Sequence, residues 1–406
     1  MKLNKKMLVG LSIAPLVVIP TALSASCNQT DYDKLIEKFS ELYPKLTNSE
    51  KENFITRIDR NKVLTQQDRV SIIHTLNKNA GKIGSVVWFV KSAEAKVAQM
   101  QSYSLARVAF DNITKNSENK LELTKVDKDS GKVSNPEDDK FIPVVFMDID
   151  ETVFANEYSE AVAMRDGFSP SFKEKYDIQG KRKAIPGAIE FINHVFEKGG
   201  LVFFNSNMNQ KEEVIKGLKT NLEKAGVKKQ YIKDWMFWLK QVNPIGTKEG
   251  EFQEAPWMQR ITDENEAVTT SKNVRMNAVS DNTKGWDFSK SDSQSGNAVK
   301  LRVIMKIGDD FNDFFDQAYK DIKPEERTAY IDKFKDLLTK VEGTKGKKVV
   351  IKDKKVEMTD LDWQQFYVQT PGNAMYGGWE KKYNYGSYRD LWKIIEEIIK
   401  DPKDLQ

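Results

Sequence analysis

The chain has 406 residues, 39% of them hydrophobic and 31% charged, which excludes disordered and fibrous classes and leaves enough apolar material for one large core or two. Its 64 basic and 60 acidic residues give a formal charge of +4. Three of those lysines lie in the first six residues, so the rest is nearly neutral and nothing favours a nucleic acid polymer as partner. A single cysteine excludes an intrachain disulfide.

The N-terminus reads as an address rather than as fold. Lys2, Lys5 and Lys6 precede an uncharged, mostly apolar run over 7–26, in which Pro15 and Pro20 argue against a stable spanning helix. Small residues then lead into Cys27, a pattern that resembles a bacterial lipobox, with Leu23 one place earlier than usual. The expectation is a signal peptide over 1–26 and a mature chain tethered through acylated Cys27 to the extracellular face of the membrane.

Residues 30–82 show helical spacing (Tyr32, Leu35, Ile36, Phe39, Leu42, Tyr43), so 27–84 is expected to be a helical N-terminal extension. One longer helix is expected over 86–111, followed by a surface excursion at 112–140. From 142 onward apolar runs alternate with amphipathic segments, which implies βαβ units and a parallel sheet. The predicted strands are Ile142–Ile149, Leu201–Phe204, Trp235–Leu239 and Leu301–Ile307. Pro186 is expected to open one helix at its first position, Asn209 to cap a second that Gly226 ends. A Ser/Asp/Lys-rich loop covers 283–299. A helix is expected at 324–341, a polar hairpin at 347–358 within an insertion of about 320–360, and a last helix at 388–400.

The most informative stretch is 144–154, Val-Val-Phe-Met-Asp-Ile-Asp-Glu-Thr-Val-Phe. Residues i and i+2 of a strand share a face, so Asp148 and Asp150 stand side by side where a buried strand ends. Two such anions cost energy unless a cation or substrate compensates them, a signature of metal-assisted phosphoryl transfer. The other strand ends carry Asn205-Ser206-Asn207 and Asp309-Asp310, and in an open parallel sheet ligands bind beyond the carboxyl ends of the strands. Asp313, four residues after Asp309, can face the same pocket if a helical turn begins there. Taken alone, Asp148 and Asp150 could be solvated turn acids, Ser206 a cap and Lys272 a surface lysine.

These residues resemble the motifs of the haloacid dehalogenase (HAD) superfamily, and more closely the class C acid phosphatases of the lipoprotein e(P4) type. The first motif is Asp148-Ile149-Asp150-Glu151-Thr152, the second Phe203-Phe204-Asn205-Ser206-Asn207, and the fourth Gly308-Asp309-Asp310-Phe311-Asn312-Asp313-Phe314. Ser271-Lys272-Asn273-Val274-Arg275 is taken as the third, with Lys284, Lys290 and Lys300 as competitors. Trp88 to Asp111, Ile185-Pro186-Gly187-Ala188 and Asn373-Ala374-Met375-Tyr376-Gly377-Gly378-Trp379 extend the resemblance to roughly 85–382.

The resemblance implies an α/β fold, a HAD-like Rossmannoid parallel sheet with flanking helices and a smaller cap or insertion region, the phosphatase domain occupying about 85–400. It implies a phosphomonoesterase, expected to act on nucleoside 5′-monophosphates with Mg2+. Asp148 would attack phosphorus and Asp150 would serve as acid and base. Asp148, Asp309, Asp313 and the Asp150 main-chain carbonyl would hold the metal, and Ser206 and Lys272 the phosphoryl oxygens. Asn207, Tyr176, Tyr376 and Arg275 are the expected substrate contacts, and Trp88, Tyr103, Tyr158 and Phe172 are further candidates for an aromatic slot. An oligomer is left open. The competing expectation is a catalytically weak surface lipoprotein that binds nucleotide or a host ligand; a phosphotransferase is a third. Two histidines are too few for histidine phosphatases or dinuclear phosphoesterases.

Overall fold

The computed structural model describes residues 80–166, 169–240, 255–259, 270–289, 295–315, 324–352 and 355–372. The expected signal peptide, Cys27, most of the N-terminal extension, Lys290, Tyr376 and the helix at 388–400 lie outside them. The chain divides into two units, one made of Met1–Ser85, Ala161–Phe168 and Trp379–Gln406, the other of Val86–Glu160 and Ser169–Gly378. The second unit contains the sheet.

The described helices are α1 (Ala80–Lys91), α2 (Ala93–Lys115), α3 (Glu157–Asp166), α4 (Pro170–Asp177), α5 (Ala188–Glu197), α6 (Glu212–Ala225), α7 (Lys272–Asp281) and α8 (Pro324–Thr339). The strands are β1 (Ile142–Met147), β2 (Leu201–Phe204), β3 (Leu301–Gly308), β4 (Thr344–Lys352) and β5 (Lys355–Gln369). They form one sheet in the order β2-β1-β3-β5-β4. The first three pairings are parallel and only β4 runs antiparallel to its neighbour. The α/β class read from the alternation of patterns is therefore the observed one.

β1, β2 and β3 are buried along their whole length, as expected of parallel strands covered on both faces. Phe203 on β2 shows how the core is filled. Its ring stacks on Trp238 at 5.0 Å and meets Phe146, Trp235 and Phe288 at 5.5–6.0 Å. This aromatic packing also corrects one expectation. Trp235–Leu239 is not a strand; it holds a 3-10 turn at Asp234–Met236 and a single parallel bridge from Phe237 to Phe204. Its aromatic residues look strand-like because they pack against the sheet, not because they extend it.

Other differences are local. The helix expected over 86–111 is two helices, because Ser92 takes an extended conformation and its hydroxyl accepts from the Ala95 amide at 3.0 Å. α2 then runs on to Lys115, into the span expected to be loop. α5 begins at Ala188, with Gly187 rather than Pro186 at its entrance. Gly187 has φ +88, and a Cβ there would lie 2.9 Å from that of Tyr103, so the tight entry and the close approach of α2 both need glycine. Lys211, not Asn209, precedes α6, and the Asn209 amide instead donates to Glu174. The hairpin is longer than 347–358. The first half of β5 is largely exposed, while Phe366, Tyr367 and Val368 enter the sheet interior beside β3.

The spans 112–140 and 283–299 both lead into the starts of strands, β1 and β3. They are joined there: the Gly296 amide donates to the Val133 carbonyl at 2.6 Å, the Ala298 amide to Asn135 at 3.1 Å, and Lys300 to the Asp138 carbonyl at 2.6 Å.

Phe203→Ala should cost about 3–5 kcal/mol, because the surrounding rings cannot close the cavity. Val350→Ala, on the partly exposed outer strand, should stay within about 0.5 kcal/mol. Denaturant unfolding of the two variants checks both values.

Candidate active site

The backbone ladder carries the site residues to the carboxyl end of the sheet. The Asp148 amide donates to the Ile307 carbonyl at 2.9 Å, the Asn205 amide to Met147 at 2.8 Å, and the Thr370 amide to Gly308 at 2.8 Å. The first polar residue after β1, β2 and β5 is thus fixed by main-chain bonds before any side chain is considered, and the last of these bonds holds the end of β3 at Gly308.

Asp148, Asp309 and Asp313 present carboxylate oxygens within 4.8 Å of one another. Lys272, the first residue of α7, reaches between two of them. Its Nζ donates to Asp148 Oδ1 in a very short contact and to Asp313 Oδ1 at 2.6 Å. Among the competitors, Lys300 is bound to the Asp138 carbonyl, and the Lys284 main chain to Asn282. Asp313 closes a 3-10 turn rather than an α-helical one, and its Oδ2 accepts from the Asp310 amide at 3.1 Å. A Cβ on residue 308 would come within 2.1 Å of that same oxygen, so glycine is required where β3 ends. Asp309 accepts from the Thr152 hydroxyl at 3.1 Å. Asp310 faces away, capping the turn through the Asn312 amide and pairing with Arg327 at 2.5 Å.

Burial and mutual repulsion push these acids up. Burial lifts the Asp148 carboxyl to about 7, with the neighbouring Asp313 and Asp150 adding to it and Lys272 opposing. Burial also raises Asp309, well above the ordinary range and helped by Asp313 and Asp148, and it raises Asp313 against the pull of Lys272. For Lys272, burial alone would favour the neutral amine, but Asp148 and Asp313 outweigh it and keep the ammonium charged.

The Asp150 carboxylate lies outside this group. It belongs to a ring of four alternating charges. Arg182 Nη2 donates to it at 2.6 Å and Lys173 Nζ at 3.2 Å, while Lys173 and Arg182 also meet Asp177 at 2.5 and 3.5 Å. Burial would raise Asp150, but Lys173 and then Arg182 hold it well below the usual carboxylate range. The next residue, Glu151, has φ +57, a sharp left-handed turn stabilised by its own carboxylate accepting from the Asn156 amide at 2.6 Å.

Ser206 is buried at the end of β2, its hydroxyl accepting from the Met208 amide at 3.3 Å, and Asn207 is exposed beside it. Arg275 departs from its expected role as a substrate contact. It is fully buried, and its guanidinium donates to Asn205 Oδ1, the Thr270 carbonyl and hydroxyl, and the Ser206 carbonyl at 2.7–3.1 Å. It holds the Asn205-Ser206 turn to α7. Tyr103 is likewise a brace: its hydroxyl donates to the Thr152 carbonyl at 2.6 Å and its ring lies against Phe191. Trp88 is partly exposed on α1. Tyr158, Phe172 and Tyr176 do assemble, with the Tyr158 ring 5.4 Å from Tyr176 and 6.2 Å from Phe172.

Lys173, Asp177 and Arg182 were not anticipated. The i, i+4 spacing of Lys173 and Asp177 was a usable signal for an ion pair, but Arg182 sits in a Lys-Arg-Lys run that looks like any solvated surface.

The family model for HAD superfamily, subfamily IIIB (Acid phosphatase) matches residues 62–335, more than half of the chain. The chain belongs to this family. As a subfamily IIIB acid phosphatase it is a phosphoric monoester hydrolase acting on small phosphate esters. Two solved structures of the class C acid phosphatase from Bacillus anthracis, one with tungstate bound, are similar to it at 17% and 18% identity. Each alignment has a TM-score of 0.46 and covers 95% of the solved chain and 78% or 79% of this one. No curated protein matches the chain.

The acid phosphatase's clustered carboxyls carry a pH signature. With raised folded pKa values, the folded protein keeps protons that the unfolded chain has released, so stability present below about pH 4 is lost as pH rises through about 7. Without divalent metal, the melting temperature should fall by several degrees between about pH 5 and about pH 8, and a divalent cation should restore it at the higher pH. Thermal melts with and without chelator test this; a flat profile would contradict it.

Proposed function

We propose that this acid phosphatase hydrolyses nucleoside 5′-monophosphates through an aspartyl-phosphate on Asp148, outside the cell and with a divalent cation of the Mg2+ type. The observation that carries the reading is the convergence of Asp148, Asp309 and Asp313, with the Lys272 ammonium between Asp148 and Asp313. Three hard oxygen donors, two of them buried and the third, on Asp309, half-buried, fit such a cation. Asp148, Asp309 and Asp313 would hold it, with the Asp150 main-chain carbonyl as the expected fourth donor. When bound, it offsets the charge of the carboxylates and of the phosphoryl oxygens.

The protein's own groups account for the rest. Asp148 Oδ forms the new bond to phosphorus as the ester P–O bond breaks, and the electron pair of that bond stays on the leaving oxygen. Asp150 supplies the proton to this oxygen. The phosphoryl dianion adds negative charge beside Asp150 and favours proton uptake there, against the two cations that hold the free carboxylate ionised. In the second half, ionised Asp150 takes a proton from the attacking water, which releases phosphate and regenerates Asp148. Lys272 would neutralise charge on the transferring group, and the Ser206 hydroxyl would donate to it. Tyr158, 57% exposed and backed by the tilted rings of Phe172 and Tyr176, offers an aromatic face suited to a nucleobase. The converging acids favour turnover over the purely binding alternative.

Asp148→Asn should lower phosphate release from a nucleoside monophosphate by about a thousandfold or more, since the nucleophile cannot be replaced. EDTA should abolish release reversibly. Activity unaffected by both would sink the mechanism. For location, Cys27→Ser should move the protein from the membrane fraction into the medium; an unchanged distribution would remove the lipid tether from the proposal.

A further inference from the structure

We propose that Arg182 is a positioning residue for the phosphatase reaction, acting through Asp150 on the leaving-group side; the inference rests on the acid/base reading of Asp150. Backbone pairing delivers Arg182 to its place. The Ala155 amide donates to the Lys183 carbonyl and the Ile185 amide to the Val153 carbonyl, both at 2.9 Å, so 183–185 runs alongside the turn that follows Asp150. The arginine just before this pairing turns inward and its side chain is fully buried.

The contacts are those of an orienting fork. Nη2 reaches Asp150 Oδ1 at 2.6 Å, Asn156 Oδ1 at 2.7 Å and the Phe154 carbonyl at 2.9 Å, while Nη1 faces Asp177. Asn156 in turn hydrogen-bonds Asp150, so the carboxylate is tied both to its own turn and to the arginine that grips that turn. Lys173 is the looser partner: it is 3.2 Å from Asp150 but 2.5 Å from Asp177, one turn along its own helix. Asp150 is also the more open acid, its side chain 32% exposed against 8% for Asp148. Arg182 therefore fixes the direction of the Asp150 carboxylate from behind and leaves its outer side to the ester. Lysine cannot copy this, because a point charge lacks the planar fork that spans Asp150, Asn156 and Asp177 together.

A positioned general acid matters in proportion to the basicity of the leaving oxygen. A nitrophenolate leaves with little help, whereas an alkoxide must receive its proton as the P–O bond breaks. The readout is kcat/KM for an aryl phosphate (p-nitrophenyl phosphate) against an alkyl phosphate (ribose 5-phosphate), which reports the steps up to loss of the alcohol. Arg182→Lys should lower the alkyl value by about a hundredfold and the aryl value by about tenfold or less, widening their ratio at least about tenfold. An equal loss on both esters, or no loss, would make Arg182 a structural brace only and overturn the inference. Asp150→Asn is measured alongside: if it leaves the ratio unchanged, the acid/base reading of Asp150 is what fails. Should Arg182→Lys not fold, Asp177→Asn, which frees the far end of the fork, decides the matter. A smaller widening in that variant supports the inference, and an unchanged ratio overturns it.

Discussion

The ammonium of Lys272 between Asp148 and Asp313 is the interaction on which the site depends. Two ionised carboxylates buried side by side need a cation, and the fold brings one in from a segment more than a hundred residues away from β1. Much of the surrounding structure serves that arrangement. Ser271 caps α7, with its hydroxyl accepting from the Val274 amide, and so sets where Lys272 begins the helix. Arg275, one turn further on, ties α7 to the end of β2 through Asn205 and the Ser206 carbonyl. The glycine at 308 lets the Asp313 carboxylate lie against the backbone where β3 ends.

A second cation system serves Asp150 and is kept apart from the first. Asp148 and Asp150 are two residues apart, yet burial and acid neighbours push one up while Lys173 and Arg182 pull the other down. Divergent environments are how two carboxyls of the same type acquire different chemical roles. The separation depends on the left-handed turn at Glu151, which sends the chain away from the sheet immediately after Asp150.

The parts legible in the sequence were those whose physics is local. β1 and β3 announce themselves as apolar runs that stop at acids, and the spacing of Asp309 and Asp313 survives the exchange of an α-turn for a 3-10 turn. What could not be read was the choice of partner. Arg275 looked like a substrate contact because an arginine beside a phosphate-binding lysine invites that reading, and only the fold reveals four protein acceptors around it. Arg182 was invisible among flanking lysines. Trp235–Leu239 imitates a strand because large aromatic residues are chosen equally by sheets and by surfaces that pack on them. β5 was read only in its polar first half, because its buried end lies past the point where the hairpin pattern stops.

The direction of the parallel strands has a consequence for how such a molecule can change. Asp148, Asp150, Ser206, Asp309 and Asp313 all follow the ends of β1, β2 or β3, and neighbouring strands are held about 4.8 Å apart by the ladder. The described residues of the excursions over 112–140 and 283–299 lead into strand starts, and they fasten to each other there. The sheet thus partitions the chain into an end where length is free and an end where it is not. Additions can accumulate before β1 or β3 as extra surface, while a single residue gained between β3 and Asp313 would break the spacing that the reaction uses.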